Sequence, residues 1–363
     1  MSIKLAVAAK TDVGKVRTNN EDAFVVADLN RADRKSSPEK MESTTHFDVK
    51  ERGVLLAVSD GMGGEQAGEV ASALVVETLQ RVLAENAPES EDSKTAITHL
   101  LENAVTKANE EVFAAAKDPG KRGMGATLTA IYVNGPEAYI VEIGDSRAYL
   151  LRGRRMRQLT KDQSFVQLLL DSGAISEEEA VNYPHKNIIL QAFGQQKNLN
   201  IGLGRLRLRR GDRLLLCSDG LSNKVTPDEM RDVICAAASL DVAGLKMIAL
   251  ANERGGDDNS TVVLAEATGD DLIAHRDEET VTQTFEVMKS GPNADVLSDR
   301  PPPATPPPSA AAGNADAAPK EEQALPVKAG SDAEDRKSRP LQILVAAVMM
   351  IVMIGVFYLL LKG

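Results

Sequence analysis

Acidic residues at five sites in this chain have the residue types and the company to do chemistry. Glu21 and Asp22 close the run Arg17-Thr18-Asn19-Asn20-Glu21-Asp22, and Asp60 and Asp219 each sit in a Ser-Asp-Gly. Asp145 lies in Gly144-Asp145-Ser146-Arg147, and Asp257-Asp258 precede Asn259-Ser260. The four histidines, His46, His99, His185 and His275, all fall outside these motifs. Donors made up of carboxylates select hard cations, Mg²⁺ or Mn²⁺, over Zn²⁺. Two such ions bridged by one carboxylate lower the pKa of a shared water, aim it, and neutralise a phosphoryl oxygen. Arg17 is a cation close in sequence to the acid set, and a guanidinium can clamp phosphate through two parallel hydrogen bonds. Taken singly, each feature has a plainer reading: Asp-Gly as a turn, Asp145 in a hairpin, Asp257-Asp258 in a solvated loop, Arg17 on the surface. Their joint occurrence beside predicted strand ends favours a shared metal site.

Asp60 and Asp219 are 159 residues apart, so only a fold can unite them. Each follows an apolar run, 54–58 and 214–217, that reads as a buried strand delivering a carboxylate to a sharp turn at the glycine. Further strands are predicted over 127–133, 138–143, 147–151 and 261–264. The run 201–208 alternates like a strand but carries Gly202 and Gly204, which weaken one. Apolar residues at helical spacing predict helices over 65–83, 96–116, 230–237 and 242–252.

The chain of 363 residues is long enough for one large catalytic domain with additions. A hydrophobic content of 43% permits a substantial core, and a net charge of −11 argues against a nucleic-acid binder. Cys217 and Cys235 make neither a metal spacing nor a disulfide framework, and Cys217 reads as a small core residue. The N-terminal apolar stretch is too short for the core of a signal peptide. Residues 1–267 have the texture of a globular domain. Residues 268–340, acidic and then Pro- and Ala-rich, read as a disordered linker that serves as a tether reaching ~45 Å or more. Residues 341–361 are uncharged and as a helix would span ~31 Å, the thickness of a bilayer's hydrocarbon core. Arg336, Lys337 and Arg339 before it, against Lys362 after it, place the large domain in the cytoplasm. The expected arrangement is a single-pass C-terminal membrane anchor.

Taken in order, the segments RTNNEDAF (17–24), VSDGMGGEQAGEVAS (58–72), GMGATLTA (123–130), IGDSRAYLLR (143–152), LTKDQSFVQLLLDSGAISEEEA (159–180), LLLCSDGLS (214–222) and DDNSTVV (257–263) carry a family resemblance. The chain resembles the metal-dependent PP2C-type (PPM) Ser/Thr protein phosphatases in their bacterial form. The resemblance implies an α+β fold, a central antiparallel β-sandwich flanked by helices, with two tightly held Mn²⁺ or Mg²⁺ ions and a third, looser one. It implies that Asp60 bridges two metals and Gly61 ligates through its carbonyl. Asp219 and Asp258 would complete one site, and Glu21 would hold the other, mainly through water. Asp22 would support the ligands from behind, Asp145 with Asp219 would form the third site, and Arg17 would bind the substrate phosphate. A metal-bridging water would then attack phosphoserine or phosphothreonine on proteins, opposing bacterial Ser/Thr kinases at the membrane.

The chain departs from the pattern at Glu65 and Met62, where relatives carry histidines, leaving a metal-bound water as proton donor. It departs again at Tyr183-Pro184-His185-Lys186-Asn187, the flap motif, which puts substrate preference in question. Two other readings are a phosphatase dedicated to one regulatory protein and a non-catalytic binding module on the same fold. Degenerate members lose metal carboxylates, whereas Asp60, Asp219 and Asp258 are all present.

Overall fold

Runs such as 54–58 are apolar at every position because the strands they form are packed on both faces. The computed structural model describes residues 3–31, 41, 43–63, 67–88, 94–181, 183–184, 187–275 and 283–289. In chain order the elements begin with β1 (Lys4–Asp12), β2 (Asp22–Asp28), β3 (Thr45–Asp48), β4 (Val54–Met62), α1 (Ala67–Asn86) and α2 (Lys94–Ala115). Next come β5 (Gly125–Ala126), β6 (Leu128–Asn134), β7 (Glu137–Ile143), β8 (Arg147–Arg152), β9 (Arg155–Gln158), α3 (Phe165–Asp171) and α4 (Glu177–Val181). The remainder are β10 (Asn200–Arg207), β11 (Arg213–Cys217), α5 (Asp219–Ser222), α6 (Pro227–Ala236), α7 (Leu240–Glu253), β12 (Ser260–Thr268) and β13 (Gln283–Lys289).

Two antiparallel sheets form the centre. One runs β3-β1-β12-β11-β8-β9 and the other β13-β10-β7-β6-β4-β2, with β5 on β4. Successive side chains of a strand face opposite ways, so each strand feeds two layers. From β4, Val54, Leu56 and Val58 enter the layer between the sheets, with Leu214 and Leu216 of β11 and Val263 and Ala265 of β12. Leu55 and Ala57 face the other way, onto Val75, Leu79 and Leu83 of α1 and Leu101 and Val105 of α2. On the far sheet Leu215, Cys217, Val262 and Leu264 pack against Met230 and Val233 of α6 and Met247 of α7. The result is the expected α+β sandwich in four layers, helix–sheet–sheet–helix. Truncating a fully buried residue such as Leu55 or Leu56 to alanine would cost ~2–5 kcal/mol. Cys217 is a core residue as expected, its thiol pushed up to about 12, first by burial.

Strand structure continues past residue 267, where the composition reading began the linker. Leu272 is buried between the sheets, and β13 pairs with β10 over seven residues, with Val287 opposite Gly202 and Phe285 opposite Gly204. Ladder bonds use the backbone, so a polar, acidic stretch can supply a strand without an apolar run to announce it. Residues 276–282 and 290–340 of the expected linker, and the expected membrane helix 341–361, lie outside the described residues. Among the described residues no helix is long and apolar enough to cross a membrane.

Candidate active site

The two Ser-Asp-Gly segments share letters but not local structure. β4 runs on through Asp60, Gly61 and Met62, whereas Ser218 is the N-cap of α5 and Asp219 its first residue. Neither glycine has the left-handed backbone of a sharp turn. Their absent side chains serve packing instead. A Cβ on Gly61 would lie 2.1 Å from the carbonyl oxygen of Gly68, and one on Gly220 would lie 2.0 Å from that of Asn259. The expected turn glycines are thus close-approach glycines, each letting another stretch of backbone press against the carboxylate's neighbour.

Strand pairing sets Asp60 of β4 directly opposite Asp22 of β2. The Asp60 backbone is held on its other side by Thr127. The Asp60 N–H donates to Thr127 Oγ1 at 2.9 Å, and the Thr127 N–H donates to the Asp60 carbonyl at 2.9 Å. Ser218 Oγ donates to Asp22 Oδ2 at 2.7 Å and accepts from the Thr261 N–H at 3.0 Å, which joins the second Ser-Asp-Gly to Asp22, the strand partner of Asp60. Asp22 Oδ1 is buried and has no hydrogen-bond partner. Asp145 follows β7 at a turn where Gly144 takes φ +98°, and Ser146 Oγ shares a hydrogen bond with Thr127 Oγ1 at 2.8 Å.

These carboxylates act on one another. Burial, then repulsion from Asp22, Asp219, Asp145 and Asp258, holds Asp60 well above the usual carboxylate range. Burial pushes Asp145 up to about 8, with Asp219 and Asp162 adding and Arg147 opposing. Asp22 is pushed up to about 7, first by burial, with the nearby Thr261 and Ser218 side chains opposing the rise. Burial also raises Asp219, with Asp258 adding to it. Among the described residues no three His, Cys, Asp or Glu side chains stand close enough together to hold an ion as they are. What they present is buried negative charge in excess of its counter-charges, plus an orphan oxygen. Only hard oxygen donors are in reach, and a divalent cation fits that demand.

Arg17 stands at the rim, its side chain 48% exposed, with Nη2 on Asp258 Oδ2 at 3.0 Å. Burial works to discharge it, but Asp258, Glu21 and Asp60 outweigh that and keep the guanidinium charged. The Glu21 carboxylate lies against the first turn of α1, where a Cβ on Gly68 would meet Glu21 Oε1 at 2.7 Å. Its carbonyl accepts from the Gly61 N–H at 3.1 Å and from Ser72 Oγ at 2.6 Å. Burial raises the Glu21 carboxyl, and Arg17 opposes the rise. The tertiary structure therefore unites Arg17, Glu21, Asp22, Asp60, Gly61, Asp145, Asp219 and Asp258. It sets Asp257 apart, since that side chain is exposed and paired with Lys224.

Sequence reasoning missed Arg147 and Asp162. The Arg147 guanidinium grips Asp162 through contacts of 2.6, 2.9 and 3.0 Å and opposes the charge of both Asp145 and Asp219. Arg147 lies within the Gly-Asp-Ser-Arg segment itself, so the signal was present, but only tertiary contact shows which acid it serves. In the flap region Tyr183 packs on Phe165 with ring centroids 6.4 Å apart, and Asn187 is exposed. Glu65, His185 and Lys186 lie outside the described residues.

Comparison with known proteins gives the same reading. The profile of the family described as Protein phosphatase 2C matches residues 42–241. The chain is 36% identical over 260 residues to the serine/threonine phosphatase stp of Listeria innocua, covering 71% of this chain and 94% of that protein. It is similar to the solved serine/threonine phosphatase of S. agalactiae, with 31% identity and a TM-score of 0.63 over 72% of this chain and 99% of that one. It is also similar to the catalytic domain of the serine/threonine protein phosphatase PstP, solved in complex with two manganese ions. That match has 35% identity and a TM-score of 0.58 over 74% of this chain and 100% of the other. Matched over most of its length in sequence and in structure by serine/threonine phosphatases, the chain belongs to the protein phosphatase 2C family as a serine/threonine protein phosphatase.

Proposed function

We propose that this phosphatase depends on divalent cations, Mn²⁺ or Mg²⁺, and works on phosphoproteins at the cytoplasmic face of a membrane, opposing Ser/Thr protein kinases there. The observation that carries the metal dependence is the buried, mutually repelling set of Asp22, Asp60, Asp145 and Asp219, among which Arg147 opposes the charge of Asp145 and Asp219. The two manganese ions in the PstP structure support it. Asp60 and the Gly61 carbonyl, Asp219 and Asp258, and Glu21 would hold two ions, with Asp145 and Asp219 available to a third. When bound, such ions supply neutralisation of phosphoryl charge and activation of water.

The protein's own residues divide the remaining work. Arg17, half-exposed and rigidly charged, offers its fork to the non-bridging phosphate oxygens, with Asp258 holding the guanidinium in readiness. Asp22 braces Asp60 from the neighbouring strand, and Thr127 fixes the Asp60 backbone from the opposite side. The three described histidines stand elsewhere: His46 is on β3, His99 is on α2 and His275 lies beside Gly153. The test is hydrolysis of a phosphothreonine peptide by the full chain with Mn²⁺ and after chelation. Turnover should require the ion, and activity indifferent to EDTA would overturn the metal dependence. Membrane attachment rests on residues 341–361 and the basic residues before them. Deleting 341–363 should move the protein to the soluble fraction with peptide turnover unchanged, and a full chain already soluble would refute the attachment.

A further inference from the structure

We propose that Asn259 is the positioning residue that holds Arg17 and Glu21 in register with the carboxylates, an inference that rests on the phosphatase reading of Arg17 given above. The stretch from Asp12 to Glu21 joins β1 to β2, and it carries the rim arginine without regular structure of its own. A phosphate clamp on such a loop needs an external anchor, because misplacement by about 1 Å costs ~100-fold in rate.

Asn259 supplies that anchor with both donors and the acceptor oxygen of its amide. It is 4% exposed; its Nδ2 donates to the carbonyls of Val13 at 2.9 Å and Asn19 at 3.0 Å, and its Oδ1 accepts from the Glu21 N–H at 2.7 Å. One side chain thus pins the loop before Arg17, after Arg17 and at Glu21. The same stretch of backbone reinforces the grip. The Gly256 carbonyl accepts from Lys15 N–H at 2.8 Å and from Val16 N–H at 3.2 Å. Gly14, at φ +80°, comes so close that a Cβ there would lie 2.4 Å from the Asp258 carbonyl oxygen. Asn259 also faces the other half of the site, since its own carbonyl presses on Gly220, next to Asp219. A single residue therefore ties the phosphate clamp on one side to Asp219 and Asp258 on the other. Aspartate would keep the acceptor for Glu21 but lose both donors, and alanine would lose all three bonds.

The protein contains its own control. Asn109 is also 4% exposed and makes the same three bonds, donating to the carbonyls of Gln196 at 2.8 Å and Lys197 at 3.1 Å and accepting from Gly194 N–H at 2.9 Å. It pins the 194–197 loop, which carries none of the candidate site residues. Asn259→Ala and Asn109→Ala therefore remove the same bonds at the same burial, and only the first should disturb the clamp.

The experiment compares wild type, Asn259→Ala, Asn259→Asp, Asn109→Ala, Arg17→Ala and the Arg17→Ala/Asn259→Ala double variant, all in the full chain. Readouts are KM and kcat on a phosphothreonine peptide with Mn²⁺ and inhibition by inorganic phosphate. Amide exchange over residues 13–21 is read without added metal. Asn259→Ala should lower kcat/KM by about 10–100-fold, weaken phosphate inhibition, and speed exchange over 13–21, none of which Asn109→Ala should do. Its effect should fail to multiply with that of Arg17→Ala, because both act through one clamp. Asn259→Asp, which keeps the Glu21 bond and with it more of the fold, should show the same pattern. Losses in Asn259→Ala no larger than in Asn109→Ala, or effects that multiply with Arg17→Ala, overturn the inference and leave the phosphatase reading standing. An Arg17→Ala variant with unaltered KM and phosphate inhibition would overturn the reading of Arg17 itself, and the inference with it.

Discussion

Replacing Asp145 by asparagine should stabilise the ion-free protein while impairing turnover. The Asp145 carboxyl is buried beside Asp219 and Asp162 and is pushed from 3.8 to about 8 in the folded protein. Below about pH 4 the folded and unfolded chains both hold the proton, and the group costs nothing. Between about pH 4 and about pH 8 the folded chain keeps a proton that the unfolded chain has lost. Stability therefore falls by up to ~1.4 kcal/mol per pH unit and levels off above that range. The ceiling is ~6 kcal/mol, and relaxation of a residue at a cleft brings the expected gain for Asp145→Asn nearer ~2–4 kcal/mol at about pH 8. Neutralising Asp145 also relieves Asp219 and Asp60, which it repels, so those contributions carry the same sign. Urea unfolding of both proteins in EDTA across that pH range measures the difference. The two should converge near about pH 4 and separate as pH rises, with Asp145→Asn the more stable. Adding Mn²⁺ should narrow or reverse the gap, because a ligand stabilises the state that binds it. A variant no more stable than wild type at about pH 8, or a difference that ignores pH, would refute the reasoning.

Gly61→Ala should destabilise by ~1–3 kcal/mol, because the new methyl would meet the Gly68 carbonyl, which cannot give way without moving backbone. Gly120→Ala, where the nearest atom is 3.9 Å away, should change the midpoint of thermal unfolding little, and equal losses in the two would count against a packing role. Ending the chain after residue 275 should speed amide exchange along β10 by baring its edge, whereas ending it after residue 290 should leave β10 protected by β13. Unchanged exchange in the shorter chain would show that β13 does not seal that edge.

The strands legible in the sequence were the doubly buried ones. β4, β6, β7, β8, β11 and β12 carry apolar residues to both layers, so their runs stand out whatever their partners. β1 did not stand out, because its alanines have weak strand preference; it is a strand by virtue of pairing with β12 over nine residues. β13 was hidden because it lies in a largely polar stretch, and it too is a strand by virtue of its pairing, with β10. At the site, the carboxylates were legible through their chemistry, and the family resemblance already singled out Asp258 over Asp257, but the roles of Arg147 and Asn259 were not legible. Each of those depends on a contact with a residue distant in the chain.

The amino-acid sequence by itself determined the donor type and its placement: hard oxygen ligands beside strand ends, with an arginine close to one of them. Residue chemistry and local hydrophobic pattern are properties of short segments and need no fold to be read. Only the tertiary structure decided that Asp60 faces Asp22, that Ser218 ties Asp22 to β12, and that the glycines are there for close approach. Strand pairing and burial act between residues up to hundreds of positions apart, and they alone set which charges share a low-dielectric pocket.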